Sequence, residues 1–269
     1  MTEFPQILFA GGCHLNGFPV GPEHSLARVA LRSIGHPAAE NPSVLAYVNL
    51  RSNAALKEAC VKQRTEILVL QLGHYETLPK LKKMFHAGSS SSLSSGSSPS
   101  LIRELAQNPN LSFVPTLGAR AIFARRLLLG AAFRGVGLGK RVFDPAALEA
   151  SLDGLLTDLR SLPLKAILLL SPFSCPDPLT RTSRRHAAQL FAAAAGRHGC
   201  VFVDAFNLLE SCGEGQPFCA NFADANHLSR VGHERVGRFV GEALRSTIAT
   251  VEGPAPNGRF GPFVTPGLK

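Results

Sequence analysis

Short apolar runs alternate with stretches whose apolar residues recur at helical spacing along most of the chain. Residues 6–10 (QILFA), 43–50 (SVLAYVNL), 66–72 (EILVLQL), 165–170 (KAILLL) and 200–206 (CVFVDAF) have the length and apolarity of buried strands. Between them, 23–34 reads as a helix that stops at Gly35, a C-cap signal, and 53–64 as a helix with Asn53 as its N-cap. Residues 119–133 are helical and basic, and 145–159 form an amphipathic helix with Asp144 as N-cap and Pro145 at its first position. Residues 181–198 are an Ala-rich helix ended by Gly199, and 228–247 are the last helix. Strands separated by helices predict an α/β protein: a three-layer αβα sandwich around a five-stranded parallel sheet. Such sheets bind ligands at the carboxyl ends of their strands, near the point where strand order reverses. The chemistry is therefore expected just after strands one, two, three and five.

Two segments depart from this order. Residues 88–100 (GSSSSLSSGSSPS) are expected to be a disordered Ser/Gly-rich insertion within a single domain spanning 1–252, and the Gly/Pro-rich residues 253–269 a C-terminal tail. With 45% apolar residues over 269 positions, the chain is long enough for one large domain and too apolar for global disorder. Its longest uncharged runs are broken by Gly, Pro, Ser or Asn, so no transmembrane helix of about 20 residues is expected. The opening MTEFPQILFAGG has an acid at Glu3 and no basic region before its apolar run, so it reads as a first strand rather than a signal peptide. The expected location is cytoplasmic. Six cysteines (Cys13, Cys60, Cys175, Cys200, Cys212, Cys219) are spread without a CxxC pair, which argues against a disulfide scaffold or zinc finger and for free thiols.

Polar residues do gather where the sheet argument places them. Strand one runs into Gly11-Gly12-Cys13-His14, strand two into Asn49-Leu50-Arg51-Ser52, and strand three into Gly73-His74-Tyr75-Glu76. After strand five come Asp224, His227, Leu228-Ser229 and Gly232-His233, the last pair opening a helix. Taken alone, Cys13 is a small buried residue or a nucleophile, and Asp224 with His227 a helix-capping pair or a catalytic pair. The Asp-x-x-His-Leu-Ser block resembles the closing block of the SGNH (GDSL-type) hydrolases, and the strand with its Gly-Gly turn resembles their opening block. Gly73 matches the glycine of their third block.

That resemblance runs from the first strand to the last helix and implies the flavodoxin-like SGNH fold, with Cys13 in the place of the nucleophilic serine. It implies a Cys13–His227–Asp224 triad acting on an acyl group through an acyl-cysteine: a thiolate nucleophile, an imidazole base and a carboxylate that orients the base. Ester hydrolysis, thioester hydrolysis and acyl transfer all remain open. The chain departs from the pattern at Gly12, where an aspartate is usual, at the second-block glycine, whose region holds Arg51 or Ser52, and at the third-block asparagine, replaced by His74 or Tyr75. Gly12, Arg51, Ser52, Gly73, His74 and Tyr75 are thus the candidate oxyanion and substrate contacts. His14 is a turn histidine, or alternatively a substrate-positioning one. His233 is a structural residue of the last helix and Glu76 a solvated loop carboxylate. These departures keep a second reading open, a catalytically inactive SGNH-like protein that binds an anionic glycan or lipid.

The net charge of +9 is unevenly spread. Between Thr77 and Phe143 the one acid, Glu104, stands against Lys80, Lys82, Lys83, Arg103, Arg120, Arg125, Arg126, Arg134, Lys140 and Arg141. This is a solvated basic face or a surface for an anionic partner: an acyl carrier or coenzyme A phosphate, an acidic glycan, or an anionic membrane touched peripherally. No cofactor is expected, acyl-CoA being a candidate co-substrate. Nucleic acid is not an expected partner, since no binding motif is present and the chain has no Trp and two Tyr. Two further patterns read as incidental. Cys212, Cys219 and His227 match no common zinc spacing, and the glycine-rich 135–140 follows a helix rather than a strand.

Overall fold

The computed structural model describes residues 4–78, 112–138, 142–211 and 219–252. The Ser/Gly-rich run 88–100, the tail 253–269 and Cys212 lie outside the described residues. Five strands form one parallel sheet: β1 (Ile7–Gly11), β2 (Ser43–Ala46), β3 (Ile67–Gln71), β4 (Ala166–Leu170) and β5 (Val201–Val203), in the order β2-β1-β3-β4-β5. The order reverses between β1 and β3, so a crevice opens beyond Gly11 and Gln71.

Strand side chains alternate between two cores, as a pleated sheet covered on both faces requires. Ile7, Phe9, Ile67, Val69, Leu168 and Val203 pack under α1 (Leu26–Ser33) and the long closing helix. Leu8, Ala10, Leu68, Leu70, Ile167 and Leu169 pack under α2 (Asn53–Lys62), α4 (Pro145–Leu159) and α5 (Pro178–His198). The expected three-layer sandwich is present. A helix α3 (Leu117–Gly135) lies against α5, a short α6 (Ala205–Glu210) follows β5, and α7 (Arg230–Glu252) closes the described chain.

Local chemistry explains where the elements differ from the sequence pattern. β2 stops at Ala46 instead of running to Leu50 because Tyr47 adopts φ 62°, outside extended space. α2 begins at Asn53, so Ser52 rather than Asn53 holds the cap position, and the Asn53 amide hydrogen-bonds Asp158 instead. β5 ends at Val203 because Asp204 accepts the Asn207 N–H at 3.0 Å and turns the chain into α6. Asp144 and Gly199 do cap their helices as expected, Gly199 at φ 57°.

At the crevice β1 and β3 approach closely. The Gly12 N–H donates to the Gln71 carbonyl and to the Gln71 side-chain Oε1 at 2.9 Å, and a Cβ on Gly11 would overlap the Gln71 carbonyl oxygen. Gly11→Ala should therefore push β1 from β3 and cost roughly 1–3 kcal/mol, as overpacking does. Urea denaturation should show a lower midpoint at an unchanged m-value.

Candidate active site

The turn after β1 is a 3-10 helix (Cys13–Asn16) that leaves Cys13 half-buried at its first position. The first N–H groups of such a turn have no intrahelical partner, so those of Cys13 and His14 point out of its start. His227 arrives from the other end of the chain on a tight loop. The Phe222 N–H donates to the His227 carbonyl, the Ala225 N–H donates to the Phe222 carbonyl, and Ala225 sits at φ 60°. Asp224 organises this loop: its Oδ1 accepts the Asn226 and His227 N–H groups at 3.0 Å, and its Oδ2 lies 2.5 Å from His227 Nδ1.

The neighbouring motif residues hold this loop in place. Ser229 caps α7 by accepting the Gly232 N–H at 3.2 Å while its hydroxyl donates to the Cys219 carbonyl. Gly232 lies so close to the Ala220 carbonyl that no Cβ would fit. The buried His233 ring reaches the Phe18 carbonyl at 3.3 Å, in the chain that follows the cysteine turn. Because Ser229 is the cap, the helix-cap reading of Asp224 and His227 does not hold.

The electrostatics single out His227. Burial opposes its charge, but hydrogen bonds to the Asp224 carboxylate and the Cys13 thiol outweigh burial and raise its pKa to about 9. Burial likewise works against the Asp224 carboxylate, yet the His227 ring and the two backbone N–H groups hold its pKa below the ordinary value. Tyr75 also meets the thiol. Burial raises the pKa of this phenol, as do the charge of and a hydrogen bond to Cys13, with Tyr47 close by. Tyr75, 47% exposed, thus rims the thiol, with the 68% exposed Tyr47 beside it. The first-strand thiol and the last-loop imidazole lie in hydrogen-bonding contact.

Other candidates land elsewhere. The Gly12 N–H is committed to Gln71 and is unavailable to a substrate oxygen. Gly73 is a packed turn residue at φ +86°, where a Cβ would lie 2.8 Å from Pro172 Cγ. His74 is buried; its Nε2 accepts the Phe173 N–H at 3.2 Å and its Nδ1 lies 2.5 Å from Gln71 Nε2, so Tyr75 rather than His74 faces the thiol. Arg51 is exposed, its N–H on Asn49, and Ser52 Oγ accepts the Asn49 N–H. No described contact joins Arg51 or Ser52 to Cys13 or His227. Glu76 is no solvated carboxylate, since it accepts the Leu50 N–H and ties the β2 loop to the β3 loop. His14 does lie in the turn, but it is buried. It is 3% exposed, ringed by His74, Phe173, His227 and His233 at centroid distances of 5.1–5.7 Å, and neither ring nitrogen meets a hydrogen-bond partner among the described residues. Among the described residues no group of three His, Cys, Asp or Glu could hold a metal ion.

Two residues went unnoticed in the sequence. Gln71 was signalled by a polar side chain ending an otherwise apolar strand. Arg184 was not signalled. It is 1% exposed and donates to the Phe173 carbonyl at 3.1 Å and to Asn226 Oδ1 at 2.9 Å, bracing the Asp224–His227 loop from beneath.

No protein-family model matches the chain, and no curated protein matches it. Solved structures do. A lipase/acylhydrolase from Enterococcus faecalis superposes with TM-score 0.54 at 12% identity over 90% of this chain and 96% of that one. A variant of an acetyl-xylooligosaccharide esterase from Geobacillus stearothermophilus gives 0.53 at 13% identity over 95% and 97%. A putative lipolytic protein of the G-D-S-L family from Desulfitobacterium hafniense gives 0.51 at 9% identity over 89% and 99%. The chain has the fold of the SGNH hydrolases.

Two predictions follow from the buried polar groups. Burial holds the pKa values of His14 and His74 well below 6.5 and that of His233 at about 3. These rings stay neutral when folded, so each costs about 1.4 kcal/mol per pH unit as pH falls below the unfolded value of ~6.5. His227 acts oppositely: its contribution is complete below ~6.5 and is lost as pH rises through about 9. Denaturation curves from pH 5 to 9.5 should thus fall on both sides, with His233→Asn flattening the acid limb and His227→Gln the alkaline one. Arg184→Met leaves two acceptors without a donor and should destabilise by roughly 1–3 kcal/mol for each one left buried. Arg184→Lys should rescue only part of this loss, because an ammonium cannot fork to both acceptors.

Proposed function

We propose that this protein is an acyl hydrolase or acyltransferase that works through Cys13. The observation carrying this reading is the meeting of the Cys13 thiol with an imidazole whose Nδ1 is held by Asp224 at 2.5 Å. With Nδ1 occupied, Nε2 is the nitrogen left for the thiol. With the thiol proton already passed to His227 Nε2, the sulfur attacks the acyl carbonyl carbon of an ester or thioester as a thiolate. The tetrahedral intermediate collapses and His227 returns the proton to the departing alcohol or thiol, leaving an acyl-cysteine. Water then gives up a proton to His227, attacks the same carbon, and releases the acid and the free thiol. A sugar hydroxyl in place of water would make the reaction a transfer. The Cys13 N–H, the His14 N–H and the Tyr75 hydroxyl are the donors that remain for the oxyanion.

The structural neighbours include esterases and lipases, one of them acting on acetylated xylooligosaccharides. Together with the exposed tyrosines, this favours small acyl groups on a carbohydrate as substrates. Acyl-CoA is the donor for the transfer branch. A cysteine nucleophile needs a reducing compartment, which supports a cytoplasmic location. The commitment of the Gly12 N–H and His74 to structural bonds supports the second reading, a protein that binds such a ligand without turning it over.

Turnover of p-nitrophenyl acetate, acetyl-CoA and acetylated xylooligosaccharide separates the two. Cys13→Ala and His227→Gln should each lower kcat by ~10³-fold or more. Tyr75→Phe should lower kcat with little change in KM, within the range of up to ~10²–10³-fold known for a lost oxyanion donor. Iodoacetamide should label Cys13 before the other thiols, and more slowly in His227→Gln. Equal turnover by wild type and Cys13→Ala would exclude the cysteine mechanism.

A further inference from the structure

We infer that the outer face of α3 is a docking surface for an anionic lipid membrane. Among the described residues, α3 is held on one side. Arg126 pairs with the buried Asp177 at 2.9 Å, and Gly130 lets the helix settle on Leu179. The opposite side presents Leu117 (83% exposed) and Leu128 (71% exposed), with Ala121 and Ala124 between them and Ala131 beyond on the same face. Val114, 70% exposed, extends the apolar surface ahead of the helix. An apolar face of this length left in water is the mark of a helix that meets something else.

Charge decides what it meets. Arg120 and Arg134 edge the face on one side and Arg125 on the other; all three are exposed, and α3 contains no acid. Apposing two copies of α3 would bring these arginines against each other. An anionic headgroup layer instead accepts the guanidinium groups while leucine side chains enter the acyl boundary, the arrangement of an interfacial helix. Among the described residues no helix is long and apolar enough to cross a membrane, so the contact is peripheral.

The docking face is also tied to the candidate site. The chain entering α3 pairs with the segment that leads into the Asp224–His227 loop, through the Ser112–Phe222 bridge and the Phe113 N–H donating to the Asn221 carbonyl at 2.8 Å. Membrane contact therefore acts one short segment away from the imidazole. The inference does not depend on the proposed activity, because binding is measured without turnover.

Vesicle flotation of the full chain tests it, using phosphatidylcholine alone and phosphatidylcholine mixed with phosphatidylglycerol. Wild type should partition at least ~tenfold more strongly onto the anionic vesicles, and added salt should weaken it. Leu128→Asp should abolish the gain while leaving the thermal midpoint unchanged, since the position is exposed. The combined Arg120→Gln, Arg125→Gln and Arg134→Gln variant should bind both vesicles alike. Wild type without preference for anionic vesicles, or Leu128→Asp binding as wild type does, overturns the inference. So does a solution dimer that Leu128→Asp dissociates in the absence of any vesicle binding.

Discussion

One guanidinium holds the candidate site together from below. Arg184 is buried on α5 and, among the described residues, forms no ion pair. It spends its donors on the Phe173 carbonyl beyond β4 and on Asn226 inside the Asp224–His227 loop. A buried cation without a carboxylate is expensive unless its acceptors are fixed. Here the two bonds from its terminal nitrogens also fix the loop, whose left-handed Ala225 would otherwise carry uncompensated strain. Its charge also reaches His14 and His74, adding to the burial that keeps both rings neutral. Support and electrostatics come from one side chain.

The β1–β3 contact plays the complementary part on the other wall. Gln71 ends its strand with a carbonyl and an amide that both take the Gly12 N–H, which fixes where the turn begins and hence where Cys13 stands. Its amide nitrogen also touches His74, whose Nε2 in turn holds Phe173, the residue whose carbonyl Arg184 grips. The thiol and the imidazole are thus positioned by a continuous run of polar contacts beneath the crevice, and not by the two loops alone.

The sheet was legible in the sequence because buried parallel strands are continuous apolar runs, and each of the five was recognisable as one. Their ends were less so, since Tyr47 and Asp204 terminate strands through backbone conformation and capping, which periodicity does not register. Asp224 and His227 were legible as a pair because the Asp-x-x-His spacing lets one carboxylate bind both the backbone and the ring. The supporting residues were not. Arg184 sits among ordinary surface-type residues of an Ala-rich helix, and only the three-dimensional path of α5 buries it. Gly12 and His14 sat beside the thiol in sequence, but a tight turn sends consecutive side chains and N–H groups in different directions. Adjacency to the thiol therefore says little about which neighbours can face the crevice.

The histidine cluster shows how one ring is set apart from its neighbours. The His14 ring lies within 5.7 Å of three other imidazoles, close enough that several charges together would be prohibitive. Burial alone would leave all of them neutral and weakly basic. A single carboxylate, placed by the Asp224 turn against one ring, raises His227 to about 9 while His233, fully buried with only a carbonyl for company, falls to about 3. The difference between a proton acceptor and an inert packing ring is therefore set by partner rather than by residue type. The uncharged rings around His14 enclose His227 on its inner side, so the proton it accepts can be shared only with the thiol, the carboxylate and whatever occupies the crevice.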